Sequence, residues 1–523
     1  MPATESRRKR RAAASAAATQ SPLWPFGADA ALPNELSELV SRGLLSHLTP
    51  VDLRSLGSTT RAARAYCDEH CAAAARGAAG LRALYARCGR DPANPPPLCT
   101  LSWTVRRGKP YEENADVLSA LAQPLPVDLL PNLVALRLDC GTFDVKSAAI
   151  RLIQAMLDSL SGRLLEIDLT LTNKNNDVGL GLLTAAAKHK GLRALRLRRC
   201  VVGRSAARGL AAIFKDGTWP HLQELQLPDV HGGAFAALAT ATHLTALTSL
   251  RLSHIDAKAG TPEQITRLAA APWFPSLRRL TLGGGQQAGL ASLAAASLPA
   301  LEELTLFNLA PPGGRPLNAG RYSLKTPPPP GVGLGHLAAA KLPALRALSL
   351  GAVDADAFPW PGVMEVGLGM GDLAELRAAP WLSGLTRLAL RPARDADLAV
   401  LAALPLPSLR RLDCLGAATP SGLGAALRAA PWAGGLTALG AQFREASRRP
   451  PRATTDDVRG LAALLRQRPP RLRSLRLSNL CMRRQDAVWA LQQSARLGLP
   501  ADELEAVLDN AVGRIDKWGT LKF

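Results

Sequence analysis

Residues whose types and spacing could support chemistry form only a few short groups in this 523-residue chain. Cys67, His70 and Cys71 could share one helix face as metal ligands, but no fourth ligand accompanies them. The glycines within 331–335 and 367–371 lack the third-glycine spacing of a dinucleotide-binding loop. The eight histidines are dispersed, without carboxylates at catalytic spacing. The sequence therefore predicts no catalytic residue, no metal site, no cofactor and no enzymatic activity.

The chain is strongly basic, with a formal net charge of +21 that comes from 51 arginines and 12 lysines. This charge has two interpretations, an acidic partner or a general Ala/Arg bias in composition. The basic residues are not interleaved with aromatic residues that could stack bases, so nucleic acid is not favoured as a partner.

The cysteines and the hydropathy bear on the compartment. The eight cysteines include no CxxC pair, which favours a reducing compartment, either cytoplasmic or nuclear. No apolar run reaches the roughly 18–20 residues that a bilayer span needs, so we expect no membrane partner.

The dominant pattern is Leu-x-x-Leu-x-Leu, which recurs about every 25 residues. Clear copies begin at Leu192, Leu222, Leu277, Leu301 and Leu472. The predicted strand starts are Leu133, Leu164, Leu192, Leu222, Leu247, Leu277, Leu301, Leu345, Val363, Leu385, Leu409, Leu436 and Leu472. Ala/Leu-rich helical stretches lie between these starts, and alternating strands and helices require a parallel sheet. An Ala-Pro-Trp sequence ends three of the helical stretches, and we expect Trp273, Trp381 and Trp432 to fill the gap before the next strand.

These repeats resemble the leucine-rich-repeat family, of the ribonuclease-inhibitor-like type. The resemblance implies an α/β solenoid over residues 129–482, with a curved parallel sheet on the concave side and helices on the convex side. A Pro-rich insertion at 310–333 interrupts the array, either as a polyproline ligand or as a tolerated insertion. Residues 483–523 are predicted to form a C-terminal helical cap that covers the last repeat.

The residues before the repeats divide into three segments. Residues 1–28 are predicted to be a disordered basic tail, either a nuclear localisation signal, part of a transit peptide or a solvated tail without a receptor. Residues 29–90 show helical periodicity, with Thr49 and Pro50 suited to a helix start. Residues 91–128 are Pro-rich and are predicted to be an irregular connector.

The 29–90 segment resembles an F-box. The matching positions are Leu32, Pro33, Glu35, Leu36, Leu48, Pro50, Asp52, Leu53 and Leu56. The resemblance implies a small all-α module that binds the adaptor of a cullin complex, through all of these residues except Glu35. It further implies a substrate-recognition subunit of an SCF-type cullin-RING ubiquitin ligase. The alternative is a non-catalytic leucine-rich-repeat protein-interaction scaffold with no ligase role.

The residues between the repeat leucines should face the concave side of the sheet, because side chains alternate along a strand. Arginine dominates these positions, and its planar fork suits carboxylate and phosphate groups. We therefore expect an acidic or phosphorylated client protein. The candidate client-binding residues are Arg196, Arg251, Arg279, Arg387, Arg391, Arg411 and Arg476.

Overall fold

A computed structural model of the chain describes its repeats and the segments that connect them. The described residues are 72–76, 100–104, 133–144, 147–160, 162–173, 178–200, 204–227, 230, 232–255, 261–284, 289–307, 334–350, 370–390, 395–417, 420–443, 471–472 and 474–478. The chain divides into two compact units, Met1–Asp139 and Cys140–Phe523.

In the first unit, the described residues are all strand except for the pair that precedes β3. Strand β1 (Ala72–Arg76) pairs in parallel with β2 (Thr100–Thr104), and β2 pairs in parallel with the first half of β3 (Ala135–Asp144). The all-α prediction for 29–90 is therefore wrong at β1, and the irregular connector predicted at 91–128 contains β2. The alanines of β1 favour helix locally, but the backbone hydrogen bonds to a neighbouring strand override that propensity.

The second unit contains a parallel sheet in which each strand pairs with the next one along the chain. Its strands are β4 (Glu166–Asn173), β5 (Ala194–Cys200), β6 (Glu224–Leu227), β7 (Ser249–Ile255), β8 (Arg279–Gly284), β9 (Glu303–Phe307), β10 (Ala347–Leu350), β11 (Arg387–Leu390), β12 (Arg411–Ala417), β13 (Ala438–Phe443) and β14 (Ser474–Ser478). Because the strands are parallel, the chain must return after every strand to the end of the sheet at which the strands begin.

Helices supply these connections. They are α1 (Ser147–Ser159), α2 (Val178–Ala187), α3 (Arg204–Lys215), α4 (Gly232–Thr240), α5 (Pro262–Ala269), α6 (Gly289–Ala295), α7 (Leu334–Ala338), α8 (Met370–Glu375), α9 (Asp395–Ala402) and α10 (Pro420–Ala429). Consecutive helices pack against each other along the array. The helices therefore form a second layer, which covers the leucine side of the sheet.

The repeat leucines form the core between the two layers. Except at Val363, the strands from β3 onward begin two residues after the predicted starts. In register, Leu195 lies beside Leu225, which lies beside Leu250, and all three are at most 1% exposed. The ladder of buried leucines continues through the later strands up to β13, so each of these repeats buries its apolar side against its neighbours.

Tryptophan fills the turns before β8, β11 and β13, as expected. Trp273, Trp381 and Trp432 are buried and lie in or next to short 3-10 helices. Trp219 is also buried before β6, and its Nε1–H donates to the Ala186 carbonyl at 3.2 Å. The sequence pattern did not identify Trp219, because here the proline follows the tryptophan.

The prediction of a repeat strand at Val363 is wrong. Strand β10 pairs with β9 on one side and directly with β11 on the other, with Leu348 beside Leu388. Since both edges of β10 are occupied, no strand can lie between β10 and β11. The leucine-rich-repeat solenoid itself is confirmed by the order of parallel strands and intervening helices.

The tail at 1–28, the Pro-rich insertion at 310–333 and the cap at 483–523 lie outside the described residues. Within the described ranges, the helices are too short or too polar to span a bilayer.

Candidate functional site

The candidate site lies on the side of the sheet that carries no leucines, which we call the polar face. Its side chains form two rows in register across β4–β13. The first row is Glu166, Ala194, Glu224, Ser249, Arg279, Glu303, Ala347, Arg387, Arg411 and Ala438. The second row is Asp168, Arg196, Gln226, Arg251, Thr281, Thr305, Ser349, Ala389, Asp413 and Gly440.

Arg196 lies at the centre of a charged network on β4–β6. Its Nε donates to Glu224 Oε1 at 2.8 Å, and its Nη2 donates to Glu224 Oε2. Its Nη1 also lies 3.8 Å from Glu166 Oε2. The Arg196 side chain is only 17% exposed, so this predicted client-binding residue is held by two carboxylates of its own sheet.

The pKa values of this pair show which interaction dominates. Burial alone would raise the pKa of Glu224, but the hydrogen bond and charge of Arg196 outweigh burial and lower it. The positive charge of Arg279, on β8, also lowers the pKa of Glu224. In return, the hydrogen bond to Glu224 raises the pKa of Arg196. Both side chains are therefore charged at neutral pH.

The neighbouring arginines complete this part of the polar face. Arg198 Nη2 donates to Asp168 Oδ2 at 3.1 Å. Arg251 is half-buried on β7, beside the buried Gln226, and Arg279 is exposed on β8. The structure thus places the predicted residues Arg196, Arg251 and Arg279 on strands β5, β7 and β8, within one polar region.

Arg387 and Arg411 lie in a second, more open region on β9–β13. Arg387 reaches across the small Ala347 to Glu303 Oε1, at 3.4 Å. The Nε of Arg411 donates to Asp413 Oδ2 of its own strand at 2.7 Å, and this hydrogen bond raises the pKa of Arg411. The Arg387 and Arg411 side chains are 56% and 48% exposed, so solvent reaches both ion pairs.

The charges of the polar face nearly balance. Its described side chains on β4–β13 include six arginines and five carboxylates. The arginines are Arg196, Arg198, Arg251, Arg279, Arg387 and Arg411, and the carboxylates are Glu166, Asp168, Glu224, Glu303 and Asp413. The predicted excess of arginine is therefore largely cancelled within the sheet. Sequence reasoning missed this pairing, because opposite charges become neighbours only when the repeats are placed in register.

The remaining predicted site residues lie outside the described part of the chain. This applies to Arg391 and to the side chain of Arg476. It also applies to the predicted adaptor contacts Leu32, Pro33, Leu36, Leu48, Pro50, Asp52, Leu53 and Leu56, and to the Cys67, His70 and Cys71 group.

Two reactive side chains in the described part of the chain are sequestered. Burial is the main cause that raises the pKa of Cys414 to about 12, with the negative charge of Asp413 adding to it, so its thiol stays protonated. His189 is fully buried, with Nδ1 accepting from the Leu164 N–H at 3.2 Å and Nε2 facing the Leu157 carbonyl at 3.2 Å. Elsewhere in the described ranges, no three His, Cys, Asp or Glu side chains are grouped as metal ligands.

Comparison with known proteins finds solved structures that are distantly similar to this chain. Rad7, in its complex with Elc1 in yeast, is 15% identical with a TM-score of 0.36, and the match covers 70% of this chain and 73% of Rad7. TLR13, in complex with ssRNA13, is 16% identical with a TM-score of 0.27, and the match covers 72% of this chain and 46% of TLR13. Drosophila Toll, in complex with Spatzle, is 12% identical with a TM-score of 0.25, covering 74% of this chain and 50% of Toll.

No protein-family model matches the chain, and no curated protein matches it. The function proposed below is therefore argued from the chain's own residues.

Proposed function

We propose that this chain is a non-catalytic protein-recognition subunit that binds a client protein on the β9–β13 part of the polar face. The observation that carries this proposal is the pair of exposed arginines, Arg387 and Arg411, beside a patch of small side chains. The patch consists of Thr305, Ala347, Ser349, Ala389, Ala438 and Gly440.

Small side chains allow a partner to approach the sheet closely. On β4–β6, by contrast, Glu166, Arg196 and Glu224 occupy the polar face as one charged network. An incoming side chain would have to displace that network. Around Arg387 and Arg411, which are direct neighbours on β11 and β12, it would meet the methyl, hydroxyl and backbone groups of the small patch. The open region therefore offers the better contact surface.

The exposed ion pairs can also be exchanged at low cost. Surface ion pairs contribute about 0–1 kcal/mol, whereas removing one partner of a buried pair costs several times more. An acidic or phosphorylated client could replace Glu303 at Arg387 and Asp413 at Arg411. Such a replacement at Arg196, which is 17% exposed, would leave Glu224 without its partner.

The test is co-purification of client proteins from cell extract with the full chain. We expect the variant Arg387→Glu/Arg411→Glu to lose clients that the wild type retains. The double variant Arg151→Glu/Arg267→Glu carries the same change in charge on exposed helix positions, and it should retain them. Equal retention by all three proteins would exclude this part of the polar face as the client site.

A more specific proposal follows from the F-box-like residues of the sequence. In this role the chain would be the substrate-recognition subunit of an SCF-type ligase, and it would act in the cytoplasm or the nucleus. It would bring the client close to the conjugating enzyme by raising its effective concentration. The support is the Leu-Pro, Glu-Leu and Pro-x-Asp-Leu pattern within residues 32–56.

Adaptor binding by the full chain distinguishes the ligase role from the scaffold alternative. We expect Leu36→Asp/Leu53→Asp to abolish adaptor binding while client binding persists. Arg387→Glu/Arg411→Glu should have the opposite effect. If the wild-type chain is folded and does not bind the adaptor, the scaffold without a ligase role is the correct function.

A further inference from the structure

A second charged surface lies along the turns that enter β10–β14. It consists of Lys341, Arg346, Arg377, Arg410 and Arg471, all of them exposed, and we call it the basic edge. The described turns 339–346, 376–386, 403–410 and 429–437 contain no carboxylate. Glu375, which ends α8, has its Oε2 hydrogen-bonded to the Gly335 N–H at 2.6 Å. In contrast to the polar face, the described basic edge thus has no balancing charges within its own turns.

Two of its arginines are held in place by the backbone of the following repeat. Arg346 Nη1 donates to the Gly384 carbonyl at 3.4 Å, and Arg410 Nη1 donates to the Gly435 carbonyl at 3.0 Å. A guanidinium has five N–H donors, and these bonds use one of them in each case. The repeated geometry therefore orders the two guanidinium groups while leaving donors for a ligand.

One cation of the basic edge, Arg377, also interacts with the end of a helix. Arg377 lies in the last turn of the helical segment that follows α8, where a cation is favoured by the negative end of the helix dipole. That interaction does not remove the charge of Arg377. The cations of the basic edge remain available to an anionic partner.

The arrangement fits an extended acidic segment. The cations come from the turns that enter β10, β11, β12 and β14, in a sheet whose strands lie about 4.8 Å apart, and an extended peptide places same-side residues about 6.7 Å apart. Stacking of nucleic-acid bases would need exposed aromatic rings, but Trp381 and Trp432 in these turns are each 5% exposed. We propose that the basic edge binds an extended protein segment rich in Asp and Glu, at a surface separate from the client site.

The experiment measures binding of a fluorescein-labelled peptide of about ten glutamates to the full chain at about 50 mM salt. We expect Lys341→Glu/Arg377→Glu to weaken binding about tenfold or more, because the new like charges repel the peptide. These two residues make none of the bonds to glycine carbonyls described above, and the unfolding temperature of the variant is checked by circular dichroism.

A matched variant makes the result specific. Arg151→Glu/Arg267→Glu has the same net charge as the edge variant, and it should weaken binding less than about twofold. An equal loss in both variants would mean that only net charge matters and would overturn the proposal. So would failure of the wild type to bind.

A competition assay separates the two classes of polyanion. Unlabelled glutamate peptide should displace the labelled peptide at a lower concentration than a single-stranded RNA of equal charge. Displacement by the RNA at the lower concentration would overturn the assignment to an acidic protein segment and would assign the basic edge to nucleic acid instead.

Discussion

At the scale of single residues, Arg196 and Arg387 show how burial changes the role of the same side chain. Both form ion pairs with a glutamate on the polar face. The Arg196 and Glu224 side chains are 17% and 23% exposed, whereas Arg387 and Glu303 are 56% and 44% exposed. We infer that the first pair stabilises the fold and that the second can be exchanged for a ligand.

This difference predicts unequal losses of stability. Glu224→Gln should lower the free energy of unfolding by about 1–2 kcal/mol, because Arg196 loses a bidentate charged partner in a poorly solvated site. Glu303→Gln should change it by less than about 0.5 kcal/mol. Urea denaturation of both variants measures the two values. Equal losses would contradict the distinction between the two pairs.

His189 connects two successive repeats in its neutral form. Since its Nδ1 accepts from Leu164, its proton lies on Nε2 and is donated to the Leu157 carbonyl. Burial lowers the pKa of His189 below 6.5, against smaller raising effects of the bond to Leu157 and the charge of Asp158, while Lys188 lowers it further. A second proton would lie on Nδ1 and would point at the Leu164 N–H, so the hydrogen bond from Leu164 would be lost.

The free energy of unfolding should therefore decrease as the pH falls below 6.5. In this range the unfolded chain binds a proton that the folded chain excludes, and the loss ends below the lowered pKa of His189. His189→Gln should reduce this pH dependence, as measured by urea denaturation between pH 7 and about pH 5. Replacement of the exposed His221 by Gln is the control, and an equal effect there would contradict a special role for His189.

At the scale of elements, glycine and aromatic residues determine how closely neighbouring repeats pack. Gly283 of β8 lies in register with Phe307 of β9. A methyl group at Gly283 would collide with the Ser253 carbonyl and with the Phe307 ring. The Ser253 carbonyl is backbone and cannot rotate away, so the position requires glycine.

Gly283→Ala should therefore destabilise the protein, by about 2–3 kcal/mol, because overpacking forces the strands apart. Gly233→Ala is the matched control in α4, where no atom outside the adjoining helix backbone and the two chain neighbours lies within 4 Å of the added methyl group. There the higher helix propensity of alanine should leave stability unchanged or raise it by up to about 1 kcal/mol. Thermal unfolding measures both, and a neutral Gly283→Ala would refute the tight contact.

The tryptophans that close the turns differ in hydrogen bonding. Trp381 Nε1–H donates to the Leu337 carbonyl at 3.2 Å, whereas the buried Nε1 of Trp432 has no hydrogen-bond partner among the described residues. Trp381→Phe should cost about 1 kcal/mol more in unfolding free energy than Trp432→Phe, since only the first change removes a hydrogen bond. Equal losses, measured by denaturant unfolding, would show that packing alone determines the cost.

At the scale of the whole molecule, stability is distributed along a one-dimensional array. Each described strand pairs only with strands of adjacent repeats, so a core change should act mainly on its neighbours. Leu304 on β9 is 1% exposed and lies in register with Leu280 and Leu348. It is therefore a suitable site at which to test this locality.

Leu304→Ala should destabilise the array by about 2–5 kcal/mol through the cavity that it leaves. We expect amide hydrogen exchange to accelerate most in β8–β10 and least in β4 and β5, because coupling passes from repeat to repeat. Hydrogen exchange with mass spectrometry resolves these segments. Uniform acceleration along the chain would indicate a single cooperative unit instead.

Apart from the strand expected at Val363, the sequence alone determined the repeat, the strand positions from β3 onward and the buried side of these strands. These properties are local, because the spacing of leucines within six residues specifies an alternating strand and its apolar face. This is why strand starts such as Leu192 and Leu277 were predicted to within two residues.

Only the tertiary structure decided which residues meet between repeats. The pairing of Arg196 with Glu224, the contact of Gly283 with Phe307 and the direct pairing of β10 with β11 all join positions about 24–40 residues apart. The strand at Ala72–Arg76 likewise depends on its neighbour β2. Such contacts follow from register and from competition between neighbours, neither of which is a property of any one repeat.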